Sequence, residues 1–555
     1  MRSLRGLPSL LPAIPFAFGL VACLLRYVRN GPLWLDEQMI ARNIRDRGFA
    51  DLAGALDFNQ SAPLAWLWAE RALVSLFGTS ELVLRALPLA ASIGTLALAW
   101  WLGRRWLGTV GAFALVALFA TNESLLRYAT EVKQYSGDLF WTTLLLLLAM
   151  AVTAGEPRYL RWWLVAAVAC LFSMGAMLAT PVFATVIVVT AWLRGRWREA
   201  WRATWPFVIW FGAFAVHYAL SLRHVLASDY MANFWGRRGY PPASAGPRAI
   251  AEWCYDRLVV LANDPLGLDA YGVGREWFTL VGRTFWVLVL VGLVVAAVRR
   301  PAWAALLGGV VAFGFALAVA ELVPLYMRLA MWIIPSLFVA VAFTVDAAAA
   351  AVAWAVRPPA AGAGPAPDGV PPPPPVRARR VTLPARLRLP ARAGAGAAGA
   401  LTVLAIAAAV APLTVVPFQR PAPPRVDYRA GVGWLASAYQ PGDLTIAVFG
   451  SQHAIGWYGE GRLEPHRAVI ADQAPGRACT PGGLGAALAG HRRVLLFGDL
   501  RDPYQRSTAA QLEADLAPMA AHVESASFGW GSLAKIIELK PGEPSRASTA
   551  CYAFS

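Results

Sequence analysis

The sequence predicts a polytopic α-helical membrane protein of about eleven transmembrane helices with a small C-terminal exported α/β domain. Three observations lead there. Of the 555 residues, 58% are apolar and 24 are Trp, with a mean hydropathy of +0.50, whereas soluble domains hold about 45–50% apolar residues. The apolar residues gather in runs of the length a bilayer crossing needs, about 17–25 residues. After the last run the pattern changes to short alternating strand and helix signals.

The runs fall at 8–28, 82–102, 108–121, 137–154, 160–178, 181–194, 204–222, 278–298, 302–322, 329–352 and 396–417. The first follows Arg2 and Arg5 without a small-residue cleavage site, so it reads as a retained helix. The net charge of +16 lies in short Arg clusters between runs, not on one polar face, which argues against a nucleic-acid partner. Arg104/Arg105, Arg158/Arg161, Arg194–Arg202, Arg299/Arg300 and the Arg-rich 377–392 share one side if the N-terminus is cytoplasmic, as the positive-inside rule requires. Segments 29–81, 122–136, 223–277 and 323–328 are then exterior to the cell membrane.

These signals divide the chain into a membrane module at 1–356, a linker at 357–395, a final span at 396–417 and an exported domain at 425–555. The linker is Pro, Gly and Ala with seven Arg and one Asp, too poor in apolar variety to pack a core, and predicts cytoplasmic disorder. In the exported domain "RAGVGWLASAY" predicts a helix, "QPGD" a turn, and "LTIAVFG", "RVLLFGD" and "AKIIEL" strands, with a helix at 505–523. His453 and Tyr458 fall in a plain loop. Five Cys show no metal-ligand spacing; Cys479 and Cys551 are compatible with a disulfide and equally with two free thiols.

The chemistry-bearing residues crowd the exterior loops. "GPLWLDEQMIARNI" places Asp36 and Glu37 directly after the first span. "DEQMIARNIRDRG" and "PLAWLWAERALVSLFG" predict two amphipathic helices within 36–78, stopped by Gly48 and Gly78 and lying along the membrane surface. For Glu37, helix capping and a chemical role are both open. "RYATEVKQYSGD" brings Arg127, Tyr128, Glu131, Lys133, Gln134 and Tyr135 to the same face, and "VPLYMRLAMWIIP" brings Tyr326 and Arg328. Carboxylates beside cations at headgroup depth suit a hydroxyl that must lose its proton and a phosphate that must leave with charge. For Arg127 the alternative is a helix-end anchor that snorkels; Glu81 and Arg85 have the spacing of a local ion pair.

"WLDE" after the first span, "FNQSAPLAWLWAERALVSLFGTSELVLRALP", "RYATEVKQYSGD" and "PLYMRLAMWIIP" together resemble membrane glycosyltransferases of the GT-C class, the glycosyltransferase family 39-like group of protein O-mannosyltransferases and lipid A aminoarabinose transferases. The resemblance covers about residues 1–350. It implies transfer of a sugar from a polyprenyl-phosphate donor to a protein, lipid or polysaccharide acceptor at the outer face of the membrane. It also implies Asp36 as catalytic base or ligand of a divalent metal such as Mg or Mn, Glu37 as its partner and Glu131 as a second acid. Lys133 and Arg328, with Arg127 and Tyr135, become donor-phosphate ligands. One departure stands out: where relatives carry an acidic–Lys or His residue before Pro-Pro, this chain reads Asn59-Gln60-Ser61-Ala62-Pro63. The competing class is a transporter or flippase of lipid-linked substrates, which predicts ionisable residues at mid-span and two related halves.

Overall fold

The computed structural model describes residues 10–227, 234, 236, 239–242, 246–268, 275–355, 426–459, 461–470, 483–541 and 552–554. The linker 357–395, the span 396–417, Cys479, Cys551 and most of "DYMANFWGRRGYPP" lie outside the described residues.

The chain opens with α1 (Ala13–Arg29), followed by α2 (Leu35–Asp46) and α3 (Leu64–Phe77). The long helix α4 (Glu81–Trp106) begins at an N-cap Ser80 whose hydroxyl accepts from Val83 N–H. Then come α5 (Thr109–Thr121), the short α6 (Glu123–Tyr128), α7 (Tyr135–Ala154), α8 (Tyr159–Phe172), α9 (Met174–Leu193), α10 (Trp197–Thr204) and α11 (Phe207–His217). Helices α12 (Pro247–Asn263), α13 (Arg275–Arg299) and α14 (Pro301–Val319) follow, and a 3-10 stretch Met327–Ile333 runs into α15 (Ile334–Ala355). Among the described residues seven helical stretches are long and apolar enough to cross a membrane, and α5 and α8 are shorter apolar helices. The chain is thus a polytopic helical membrane protein.

One expected boundary moves. The expected spans 160–178 and 181–194 part between 178 and 181, but α9 runs through Pro181 and starts at Met174, with the hydroxyl of the N-cap Ser173 accepting from Ala176 N–H. Asp138 decides it: its Oδ1 accepts from Ser173 Oγ at 2.6 Å and from Gly175 N–H at 3.0 Å, so the orphan donors of the α9 N-terminus are satisfied there.

Two spans form the centre. In the apolar 18-residue stretch of the Tyr135–Ala154 helix 72% of the residues are buried, and in that of Met327–Trp354 61%, against 22–39% in the other five. Close approaches are made at small residues: a Cβ on Gly175 would collide with Trp332, and one on Gly292 with the Ala340 carbonyl. The central spans present Tyr135 and Arg328 at the same end.

Helices α2 and α3 pack on protein along one face. Ile40, Ile44 and Leu67 are fully buried against Val132 in one cluster, so the pair roofs the ends of the spans, while Trp68, Leu76 and Phe77 of α3 stay exposed. Helix α2 stops at Asp46, two residues before Gly48, while α3 stops where expected, at Gly78 with φ +88°.

The C-terminal unit is a six-stranded mixed sheet with α16 (Tyr428–Ala438), α17 (Gln452–Tyr458), α18 (Gly483–Leu488) and α19 (Pro503–Leu516). Strands β1 (Leu444–Val448), β2 (Pro465–Ile470), β3 (Arg493–Asp499), β4 (Ala520–Ala526), β5 (Ser532–Leu539) and β6 (Tyr552–Phe554) lie in the order β4-β5-β3-β1-β2-β6. Strand β1 is parallel to β2 and β3, and the outer pairings are antiparallel. The expected helix 505–523 ends at Leu516, because Pro518 cannot continue it, and 520–526 becomes an edge strand. That strand is mostly exposed and so lacks the apolar alternation that would announce it.

Candidate functional site

Asp36 sits in the first turn of α2, where Trp34 is the N-cap in extended conformation. Its Oδ2 is ion-paired with Arg328 Nη2, a contact across 292 residues of chain. Arg328 Nε donates to the Tyr135 hydroxyl at 3.0 Å, and the guanidinium lies over the Trp34 ring at 5.4 Å and the Tyr135 ring at 5.8 Å. Both charged partners stay partly open, with side chains 22% and 26% exposed, as groups that meet a ligand must be.

Glu37 is different. Its Oε2 accepts from Trp34 N–H at 3.1 Å and its Oε1 from Val132 N–H at 2.8 Å, with Arg85 Nη2 at 3.5 Å. It is a helix cap that also clamps the 129–134 loop onto α2. The clamp sets Glu131 and Lys133 beside Asp36. The expected Glu81–Arg85 pair does not form: Arg85 donates to Asn30 Oδ1 at 2.9 Å and Gly31 O at 2.5 Å, while Glu81 is taken by the C-terminal unit.

Glu131 is buried with Oε1 lacking a hydrogen-bond partner. Burial, followed by the nearby Glu37 charge, pushes its carboxyl from 4.5 up to about 7, against the pull of Arg127, Arg328 and Lys133. Lys133 is buried too, which lowers its pKa, although Asp36 works in the opposite direction. Its Nζ donates to Gln60 Oε1 at 2.6 Å. The Asn59–Pro63 turn, the departure from the family pattern, therefore supplies the group that orients the lysine.

Strained backbone frames these cations. Met327, just before Arg328, has φ +44°, and Phe58 and Asn59, just before Gln60, have φ +61° and +54°. Non-glycine residues in this region carry on the order of 1–2 kcal/mol of strain.

Arg127 is drawn elsewhere: Nη2 donates to the Tyr128 hydroxyl at 2.6 Å and approaches Asp264 Oδ2 at 3.5 Å. Of the predicted site residues, the structure gathers Asp36, Glu131, Lys133, Arg328 and Tyr135, braces them with Glu37, and sets Arg127 in a neighbouring pair. Trp34, Gln60 and Asp264 were not named as site residues; Trp34, inside "WLDE", and Gln60, inside the departing Asn59–Pro63 turn, each left a local signal, and Asp264 left none. The donor set does not suit a divalent ion: Asp36 is held by a guanidinium and both Glu37 oxygens by backbone donors. Among the described residues no group of three or more His, Cys, Asp or Glu is placed to hold a metal.

The C-terminal unit docks on this site through α17 and α16. The Tyr458 hydroxyl accepts from Leu33 N–H at 2.7 Å and donates to Glu81 Oε1. Arg429 pairs with Glu81 Oε2 and donates to Asn30 O at 2.9 Å. Arg45 of α2 donates to Gly456 O at 3.1 Å, and His453 packs edge-on to Phe58 with centroids 4.6 Å apart. His453 and Tyr458 thus belong to a docking helix, not to a plain loop.

Fold and site together define a polytopic helical membrane protein with a paired acid–cation site at one end of its spans, roofed by an α/β unit. No family model and no curated protein matches the chain. Among solved structures it is similar to ArnT from Cupriavidus metallidurans in the apo state, with a TM-score of 0.48 and 15% identity over 96% of this chain and 98% of that one. It is likewise similar to the same protein bound to undecaprenyl phosphate, with a TM-score of 0.48 and 15% identity over 95% and 97% of the two chains.

Proposed function

We propose that the chain is an inverting glycosyltransferase that moves a sugar from a polyprenyl-phosphate donor to an acceptor hydroxyl at the outer face of the cytoplasmic membrane. The observation that carries this reading is the partly open Asp36–Arg328 pair, with Lys133 and Glu131 beside it. In this scheme the acceptor oxygen attacks the anomeric carbon, the bond from that carbon to the phosphate oxygen breaks, and Asp36 takes the hydroxyl proton. Arg328 and Lys133 stabilise the charge that develops on the departing polyprenyl phosphate. Tyr135 and Trp34 hold the Arg328 fork, and Glu37 acts as a positioning residue.

The charge distribution supports the orientation. Arg105 pairs with Glu156, Arg194 donates to Thr153 O, Arg300 to Ala154 O and Arg299 pairs with Asp346. Three of the five arginine clusters are thereby collected at the end of the spans away from Asp36. By the positive-inside rule that end is cytoplasmic and the Asp36 end, with the α/β unit, exterior.

The test is glycosyl transfer by the purified full chain, with a panel of radiolabelled polyprenyl-phosphate sugars and crude cell-envelope acceptor. Wild type should transfer and Asp36→Asn should lose at least about a hundredfold, within the range for general-base removal, while keeping its thermal unfolding profile. Full transfer by Asp36→Asn would reduce Asp36 to an ion-pair partner of Arg328.

A further inference from the structure

The end of the helical module opposite Asp36 carries a second concave site that the transfer chemistry does not use. The last turns of α4 and α7, the Glu156 turn and the first turn of α8 enclose a pocket of about 290 Å³. Arg105, Arg158, Arg161 and Glu156 line it together with Leu148 and Trp162. Arg105 is committed to Glu156. Arg158 and Arg161 are exposed, and among the described residues their side chains make no hydrogen bond or ion pair. The pocket therefore holds two positive charges with no acid to balance them.

Its apolar wall runs outward into lipid-facing surface, where Trp101, Leu160 and Leu164 are 44%, 47% and 48% exposed. The neighbouring α10 fixes the depth. It is tied to α8 by Trp163 Nε1–H donating to Ala203 O at 2.6 Å. It also exposes Trp197 and Trp201, the residue type that anchors at the membrane interface. The pocket mouth then lies at headgroup level.

An apolar wall continuous with the lipid-facing surface, ending at two uncommitted guanidiniums, complements an anion tethered to an acyl chain. The guanidinium fork matches a phosphate in geometry as well as charge, and basic pockets between spans are a known mode of lipid headgroup recognition. A free phosphate would use the arginines and leave the apolar wall without a role. We infer that this pocket binds the phosphate of an anionic glycerophospholipid in the leaflet opposite the Asp36 site. The inference stands apart from the reading of the Asp36 site.

The test is titration of the purified full chain with dioleoyl-phosphatidylglycerol, with dioleoyl-phosphatidylcholine as the zwitterionic control, followed by native mass spectrometry. The comparison sets wild type against Arg158→Gln/Arg161→Gln and against Arg198→Gln/Arg202→Gln, which removes equal charge from the same face outside the pocket. The pocket pair should weaken phosphatidylglycerol binding by about fivefold for each arginine removed, and the control pair by much less. Equal weakening by both pairs, or none by the pocket pair, overturns the assignment. Displacement of the lipid by millimolar inorganic phosphate also overturns it, in favour of a free-phosphate site. The single variants Arg158→Gln and Arg161→Gln, each expected about fivefold weaker, keep the test open if the double variant does not fold.

Discussion

Glu131 is the residue whose state changes near neutral pH, because burial and the Glu37 charge raise its carboxyl from 4.5 to about 7. In the proposed reaction, ionised Glu131 opposes a phosphate approaching Arg328 and Lys133, and neutral Glu131 does not. The KM for the donor should therefore rise as pH passes about 7, by roughly tenfold for a like charge about 10 Å away at an effective dielectric near 20. Glu131→Gln should hold KM at its low-pH value, a steady-state pH profile being the measurement. Stability follows the same sign. The folded chain holds this proton where the unfolded chain has lost it, so the contribution is full below about pH 4.5 and is lost as pH rises through about 7. The change is on the order of 3 kcal/mol, and thermal unfolding of Glu131→Gln should lack that slope. Removal of divalent ions with EDTA should leave the transfer rate unchanged, since Asp36 is committed to Arg328.

At the scale of elements, the site depends on how α2 is joined to the loop before α7. Glu37→Ala removes a buried acceptor of two backbone N–H groups and takes from Arg85 its carboxylate partner, leaving it Asn30 and Gly31, which should cost about 3–5 kcal/mol in the unfolding of the detergent-solubilised chain. If Glu37 acted only as a cap on α2, the loss would be nearer 1 kcal/mol. A different element contact is tested by Gly292→Ala. Its Cβ would meet the Ala340 carbonyl where α13 crosses α15, so the helices must separate, at about 1–3 kcal/mol. The helices themselves were legible from apolar run length and turn residues. The α9 start was not, because Asp138 capping depends on a residue 35 positions away.

Across the whole molecule, the α/β unit is fastened to the 29–81 segment by Tyr458 and Arg429 on the buried Glu81. The double change Arg429→Ala/Tyr458→Phe should leave Glu81 without its charge partner and loosen the unit. Limited proteolysis should then release the C-terminal fragment faster, while the melting of the span helices stays close to wild type. Unchanged cleavage would show that Arg45 on Trp457, 4.9 Å from the ring, and the Phe58–His453 contact suffice to hold the unit.

By itself the sequence determined the membrane class, the arginine-marked end, the two helices before α4 and the group Asp36, Glu131, Lys133 and Arg328. Each of these is written in local composition, periodicity or a short motif, where neighbouring residues carry the signal. Tertiary structure alone decided which of those groups touch. Arg328 reaches Asp36 and Gln60 orients Lys133; Glu37, for which capping and a chemical role were both open, caps α2 and clamps the loop before α7; and Glu81 leaves Arg85 for Arg429. These choices belong to side chains far apart in the chain, and they are made by the desolvation of buried charges, each of which must find a partner within reach once the spans and the roof above them have packed.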